Sequence, residues 1–392
     1  MKMQLTVLSL LIGTLTCSSS AIAQDENYTT PIVSSAALTK ENQCEWGQWE
    51  SFKQHYIENG RVVDNSDPRL ITTSEGQSYA LFFALIANDK KTFDELLGWT
   101  ELHLAGGDLT AQLPAWLWGT QPDGSQGILD SNSAADSDLW IAYSLLEAGR
   151  LWDNHYYQSL GHLLASRILR DETIKVSGLG TVLLPGKVGF VLGKNHVRLN
   201  PSYVPLQLLT RMNTVFPSYQ WAEVYQSSER LLKETMPKGY SPDWIEWDKI
   251  RFKKDTKTKS IGSYNAIRVY LWAGMLPDSD PNKAIILSQM QPLLHVLDKN
   301  KGMPESINVR TGKRKNQGSV GMNAAILPLL MSTGLDNLAT KYAKQIEAGL
   351  PQIESDYYYN SVLSLFGLGW YQGLYAFNDD GSVTPKWVNV CQ

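Results

Sequence analysis

Apolar positions recur at helical spacing along most of the chain. The pattern predicts helices over 45–58, 75–88, 91–104, 137–150, 154–170, 203–214, 219–236, 262–275, 280–297, 320–333, 335–348 and 358–373, with stops such as Gly60 and Pro277. Alternating short and long connections group these twelve helices into six antiparallel pairs. A closed (α/α)6 barrel is the economical way to bury that many amphipathic faces, so the predicted class is all-α with small β-hairpin insertions. One insertion, Thr181 to Phe190, reads as a hairpin turning at Pro185-Gly186. Regular βαβ alternation is absent, which argues against Rossmann and TIM architectures.

The first residues break this pattern. A basic start, an apolar run from Leu5 to Thr16 and the sequence Ala21-Ile22-Ala23 read as a signal peptide over 1–23, cleaved before Gln24. The run is too short for a membrane anchor, and Thr16 stands before Cys17 where a lipidated cysteine would follow Gly or Ala. A loose, polar leader over 24–43 and one domain over 44–392 follow, since no linker divides the rest. The expected location is periplasmic or secreted, and the expected state a monomer. Cleavage removes Lys2 and no acid, leaving a chain slightly more acidic than its formal charge of −4. That balance argues against nucleic acid or an anionic membrane as partner. In an oxidising compartment Cys44 and Cys391 are expected to form one disulfide joining the ends, two unpaired thiols being the alternative. The basic stretches Lys249 to Lys259 and Arg310 to Lys315 read as solvated loops.

Candidate chemistry narrows by exclusion. HExxH, CxxC and EF-hand patterns are missing, so no metal is expected; Gly178-Leu-Gly180 lacks the rest of a dinucleotide fingerprint, so no cofactor is expected either. Thr72 to Gly76 is a poor nucleophile elbow, with Thr at its first position and no strand before it. Carboxylates and aromatics remain. Glu75 follows the N-cap candidate Ser74 in the first turn of a helix, and Gly76 leaves the approach to its carboxylate open. Taken alone, Glu75 reads as a helix-start acid that complements the dipole. Asp136 and Asp138 open a second helix after the polar run from Asp130. Two such acid-bearing starts are expected to converge on one end of the fold. Thirteen Trp and eighteen Tyr, several at loop or helix-end positions such as Trp116, Trp118, Tyr203 and Tyr357 to Tyr359, supply flat faces for sugar rings as well as core. Paired carboxylates between aromatic walls are the equipment for cleaving a glycosidic bond.

At these residues the chain resembles glycoside hydrolase family 8, from about Cys44 to Cys391. The resemblance rests on Thr73-Ser-Glu75-Gly-Gln-Ser-Tyr79, Leu113-Pro-Ala-Trp-Leu-Trp-Gly119, Leu129 to Asp138, Leu184-Pro-Gly-Lys-Val-Gly-Phe190, Ser241-Pro-Asp-Trp244 and Ile267-Arg-Val-Tyr270. It implies an (α/α)6 barrel and an inverting endo-hydrolase of β-1,4-glucan working beside cellulose synthesis, with glucan chains and the cellulose synthase complex as partners. Glu75 falls at the family's general acid, and Asp136 at the acidic residue that holds and distorts the sugar. Two carboxylates in one site resist joint ionisation, which favours a protonated acid against the pull of the helix N-terminus. Trp118, Tyr264, Arg268, Asp130 and Tyr203 are the expected sugar contacts. The family's base is the Asp of Ser-Tyr-Asp-Ala-Ile-Arg, whereas this chain has Asn265 in Ser263-Tyr-Asn-Ala-Ile-Arg268. A substitute base is expected among Asp136, Glu246, Asp248 and Asp255. The alternative is a non-catalytic glucan-binding protein, and chitosan, xylan or mixed-linkage glucan stay open as substrates.

Overall fold

Two prolines divide what periodicity alone reads as continuous helices. In the computed structural model, which describes residues 45–299, 302–356 and 358–390, the helices are α1 Gly47–Tyr56, α2 Ser74–Ile86, α3 Lys90–Leu104, α4 Ala135–Leu151, α5 His155–Asp171, α6 Leu206–Val215, α7 Trp221–Glu234, α8 Ala266–Gly274, α9 Lys283–Gln289, α10 Gln291–Lys299, α11 Val320–Ala325, α12 Leu327–Ser332, α13 Asp336–Asp356, α14 Tyr358–Tyr371 and α15 Lys386–Val390. The span 280–297 splits into α9 and α10 ahead of Pro292, and 320–333 into α11 and α12 ahead of Pro328. Proline lacks the N–H that would continue the ladder, and its ring collides with the carbonyl one turn back. The signal peptide, the leader, Cys44 and Cys391 lie outside the described residues.

Burial separates the helices into two kinds. α2 buries every residue but Glu75, α4 buries Ala135 through Gly149, and α8 is buried throughout. α7 buries only Trp221, Val224, Ser227, Ser228, Leu231 and Leu232, the single stripe of a surface helix. The two kinds alternate along the chain: α2 packs on α3 and α4, α4 on α5 and α6, α6 on α7, α8 on α12, and α11 on α13 and α14. At the centre, Phe366 of α14 meets Phe82 and Phe83 of α2, Trp140 of α4 and Trp272 of α8, with ring centroids 4.6–5.7 Å apart. Edge-on and offset contacts of this kind add to the burial of large apolar rings.

Small antiparallel sheets decorate the helices. Thr72–Thr73, Leu117–Thr120 and Gln126–Asp130 form one. Val191–Gly193, His196–Leu199, Ile245–Asp248 and Arg251–Lys254 form another, and Ile261–Gly262, Pro304–Asn308 and Arg314–Gln317 a third. The hairpin expected around Pro185-Gly186 is displaced. Thr173–Val176 pairs with Gly180–Leu183 through a turn at Gly178, whose positive φ of 78° suits glycine. Pro185-Gly186 instead lies against the start of α4: the Pro185 carbonyl accepts from Ala135 N at 3.1 Å, and a Cβ on Gly186 would overlap the Ser133 carbonyl.

The C-terminal segment returns to the far ends of the inner helices. The Gly381 carbonyl accepts from Tyr143 Oη at 2.8 Å, Val383 N donates to Glu147 Oε2 at 2.9 Å, and Trp387 Nε1 donates to the Leu85 carbonyl at 3.1 Å. Glu147 is fully buried, and Arg211 Nε and Arg150 also meet its charge.

Candidate active site

Glu75 is placed by a cap one residue earlier than the sequence indicates. Thr73 is the N-cap of α2, its Oγ1 accepting from Gly76 N at 3.0 Å. Ser74 is thereby free to bridge two helices. Its Oγ lies 2.6 Å from Ser137 Oγ, joining the first turns of α2 and α4. The two acid-bearing helix starts therefore converge. A Cβ on Gly76 would overlap the Tyr358 hydroxyl, so glycine here admits a tyrosine beside Glu75.

One buried guanidinium holds the site together. Arg268, in the first turn of α8, donates through Nη1 to Glu75 Oε2, to Asp136 Oδ2 at 3.0 Å and to Tyr79 Oη at 2.8 Å. Its Nη2 donates to Asn265 Oδ1 at 2.9 Å, and its guanidinium carbon lies 5.6 Å from the Tyr203 ring centre. Glu75 keeps 25% of its side chain exposed and Asp136 only 2%. Joint ionisation is opposed, and Asp136 is pushed well above the usual carboxylate range. Burial is the main cause and the Glu75 charge the next, with Arg268 pulling the other way. Asp138 is directed elsewhere, buried against Glu172, whose carboxyl is pushed up to about 8 by burial. Ser133 Oγ donates to Glu172 and accepts from Lys187 N, so this second acid pair anchors the 184–188 loop.

Asn265 lies beside Arg268 with its carbonyl oxygen committed. Oδ1 accepts from Arg268 Nη2 and from Asn200 Nδ2 at 3.0 Å. Asn200 is oriented in turn, since its own oxygen accepts from Ser202 N and Oγ. Both lone pairs of the Asn265 oxygen thus face donors, and a carboxamide has no basic site to offer. A carboxylate not singled out from the sequence stands beneath this loop. Asp243 Oδ1 accepts from the backbone N–H groups of Ser263, Asn265 and Ala266 at 2.8, 3.1 and 2.8 Å. Burial pushes its carboxyl up, and the three amides and Arg268 pull it down. Its signal was present in Ser241-Pro-Asp-Trp244 as an acid flanked by a proline and an aromatic.

The expected substitute bases on the neighbouring sheet are already engaged. Glu246 accepts from Thr256 and lies 2.9 Å from His196 Nε2, Asp255 is bound by Arg198 and Thr258, and Asp248 pairs with Lys253. The flanking basic runs approach each other around a cavity of about 430 Å³ lined in part by Arg251, Lys254, Lys259 and Arg310.

The aromatic contacts divide. Tyr203 closes on Arg268, and Trp244 lies 6.0 Å from both Tyr203 and Phe190, with the Arg198 guanidinium 3.8 Å above its ring. Tyr264 is 46% exposed, its carbonyl accepting from Tyr359 Oη. Trp118 is 8% exposed, wedged between Trp99 and the Arg61 guanidinium, which stands 4.2 Å over its ring. Trp116 is half-buried, next to the catalytic candidates: its carbonyl accepts from Ser74 N at 3.0 Å. Trp116 lies just before the strand Leu117–Thr120, and Leu117 and Trp118 pair with Asp130 and Ile128, so a bulge at Leu129 of the facing strand breaks the ladder beside them. Asp130 is exposed at the end of its strand, accepting from Asn132 N, while Asn132 bonds both polar backbone groups of Val188. Among the described residues, no group of three or more His, Cys, Asp or Glu is placed to hold a metal ion.

The chain is similar to known proteins in sequence and in fold. The family model for glycosyl hydrolases family 8 matches residues 22–373. An endoglucanase of Escherichia coli (strain K12) is 46% identical over 361 residues, spanning 91% of this chain and 95% of that protein. An endoglucanase of Xanthomonas axonopodis pv. citri is 41% identical over 359 residues, 91% of this chain and 93% of that one. The crystal structure of endo-1,4-D-glucanase from Vibrio fischeri superposes with a TM-score of 0.87 at 88% identity, over 88% of this chain and 100% of that chain. The endo-β-1,4-glucanase CMCax of Acetobacter xylinum superposes with a TM-score of 0.68 at 26% identity, over 82% and 96% of the two chains. Matched along most of its length in sequence and in structure, the chain belongs to glycoside hydrolase family 8.

Proposed function

We propose that this family 8 enzyme cleaves internal β-1,4 bonds of glucan with inversion at the anomeric carbon. The observation that carries the reading is the single nitrogen of Arg268 shared by Glu75 and Asp136, which brings two carboxyls from different helices together at one point. Glu75, the more exposed of the two, gives its proton to the leaving oxygen. Asp136, sealed beneath it, holds the hydroxyls of the sugar being distorted. Trp116, Tyr203, Trp244 and Tyr264 line the path of the chain. The relatives named endoglucanase support β-1,4-glucan over chitosan or xylan. The alternation of buried and half-buried helices supports a closed (α/α)6 barrel, with Glu75 and Asp136 at one end of its inner ring. The apolar run before Ala23 supports export to the periplasm or medium, and work beside a cellulose synthase fits that location.

A second reading, a glucan-binding protein without catalysis, draws on Asn265, which cannot take a proton from water. Reducing ends released from carboxymethyl cellulose separate the two, with the anomer formed first followed by NMR. The hydrolase reading expects release by the wild type, an α-anomer, and no release by Glu75→Gln, which still binds cello-oligosaccharides. A Glu75→Gln protein with undiminished turnover would refute the assignment.

A further inference from the structure

Resting on that hydrolase reading, we infer that Asp243 is the general base that Asn265 cannot be. Inversion needs a carboxylate on the water's side of the sugar, opposite the acid. The family position is closed to this role, because the Asn265 oxygen is filled by Arg268 and Asn200. Asp243 is one hydrogen bond away, its Oδ1 held by the amide of Asn265 itself and by those of Ser263 and Ala266. Only that oxygen is engaged. Among the described residues Oδ2 has no hydrogen-bond partner, although the residue is 9% exposed. Other carboxylates nearby are committed: Asp136 to Arg268 and Ser137 N, Glu305 to Asn316, and Glu246 and Asp255 to the partners given above.

The seat is rigid. Asp243 N donates to the Ile261 carbonyl at 2.8 Å, and Gly262 lets this strand pass so close to Ser241 that a Cβ would overlap its carbonyl. Three amides at the start of α8 fix one oxygen and leave the other free to act, and burial keeps the carboxylate more basic than an exposed one. In the step, the water oxygen attacks the anomeric carbon as its bond to the bridging oxygen breaks. The water proton passes to Asp243 Oδ2, and the Glu75 proton passes to the departing oxygen. Exchange with solvent then restores both groups.

A helix-capping role for Asp243 predicts different behaviour, and three variants separate the two. Asp243→Asn keeps an oxygen for the three amides but no base. It should melt like the wild type and lose about 10²–10⁴-fold in turnover of carboxymethyl cellulose. Adding Asn265→Asp should return a large part of that loss by restoring a carboxylate beside the old one. Asp243→Ala with sodium azide should form the α-glycosyl azide, because azide attacks without giving up a proton. An Asp243→Asn enzyme at wild-type turnover overturns the inference and leaves the hydrolase reading standing. So does a loss that neither Asn265→Asp nor azide repairs, which marks a capping role. A wild-type protein that releases no reducing ends fails the hydrolase reading, and this inference with it.

Discussion

Replacing Arg268 with Met should cost stability in a pH-dependent way. Met keeps much of the bulk and removes the charge together with the four hydrogen bonds to Glu75, Asp136, Tyr79 and Asn265. Removing one partner of a buried ion pair costs about 3–5 kcal/mol, because the other charge is left uncompensated. Glu75 is partly exposed and can turn to water; Asp136 cannot, so Asp136 is the stranded charge. Its relief is a proton. Burial and Glu75 already raise its carboxyl, and Arg268 opposes them, so the variant raises it further. A carboxyl raised in the folded state binds its proton more tightly there than in the unfolded chain. The stability it contributes is therefore present at low pH and lost as pH climbs, by at most about 1.4 kcal/mol per pH unit for one proton. Urea unfolding followed by tryptophan fluorescence at pH 5 and pH 8, beside the wild type, measures the effect. The deficit should reach about 3–5 kcal/mol at pH 8 and shrink clearly at pH 5. A deficit under about 1 kcal/mol at pH 8, or an equal one at both, would show that Arg268 does not neutralise Asp136.

Other perturbations follow from single contacts. Gly76→Ala drives a methyl into the Tyr358 hydroxyl and should cost about 1–3 kcal/mol together with much of the turnover, part of which Tyr358→Phe should return in melting and activity measurements. Trp118→Ala should cost about 3–5 kcal/mol in unfolding free energy while the folded protein binds cello-oligosaccharide normally by calorimetry. Trp116→Ala should do the reverse, weakening binding by about 1–3 kcal/mol with little change in melting. Asp138 and Glu172 both hold their protons more tightly when folded, so they take stability away as pH rises toward about 8. Asp138→Asn/Glu172→Gln should flatten the plot of urea midpoint against pH, and an unchanged slope would mean that the pair does not share a proton.

Helix positions were legible because burial on one face writes a 3.6-residue period into the chain, and α3, α5 and α7 carry it plainly. The inner helices α2 and α8 are apolar nearly all round, so their ends are written by polar residues instead. Those ends are where the sequence misplaced the α2 cap and started α8 too early. Glu75 and Asp136 were readable as acids in first turns. Their meeting through Arg268 was not, since it joins residues 193 and 132 positions apart. Trp118 misled because two indoles two positions apart offer no sign in the sequence of which one Trp99 and Arg61 cover. Glu246, Asp248 and Asp255 drew notice as acids in a long segment before Asn265; the fold pairs Glu246 and Asp255 with His196 and Arg198, 50 and 57 residues earlier in the chain.

The contacts of residues 381–387 with Leu85, Tyr143 and Glu147 bear on how the chain must be made. Synthesis is vectorial, so α2 and α4 exist long before the segment that covers their ends. Until it arrives, Glu147 lacks the Val383 amide and Tyr143 lacks its acceptor. Closure spanning 302 residues is the kind of contact that slows folding most. A nascent molecule therefore remains unfinished until residues 381–387 have been made, and stays open to chaperones and proteases through that interval. Deleting residues 381–387 alone would take away the piece that ends this interval.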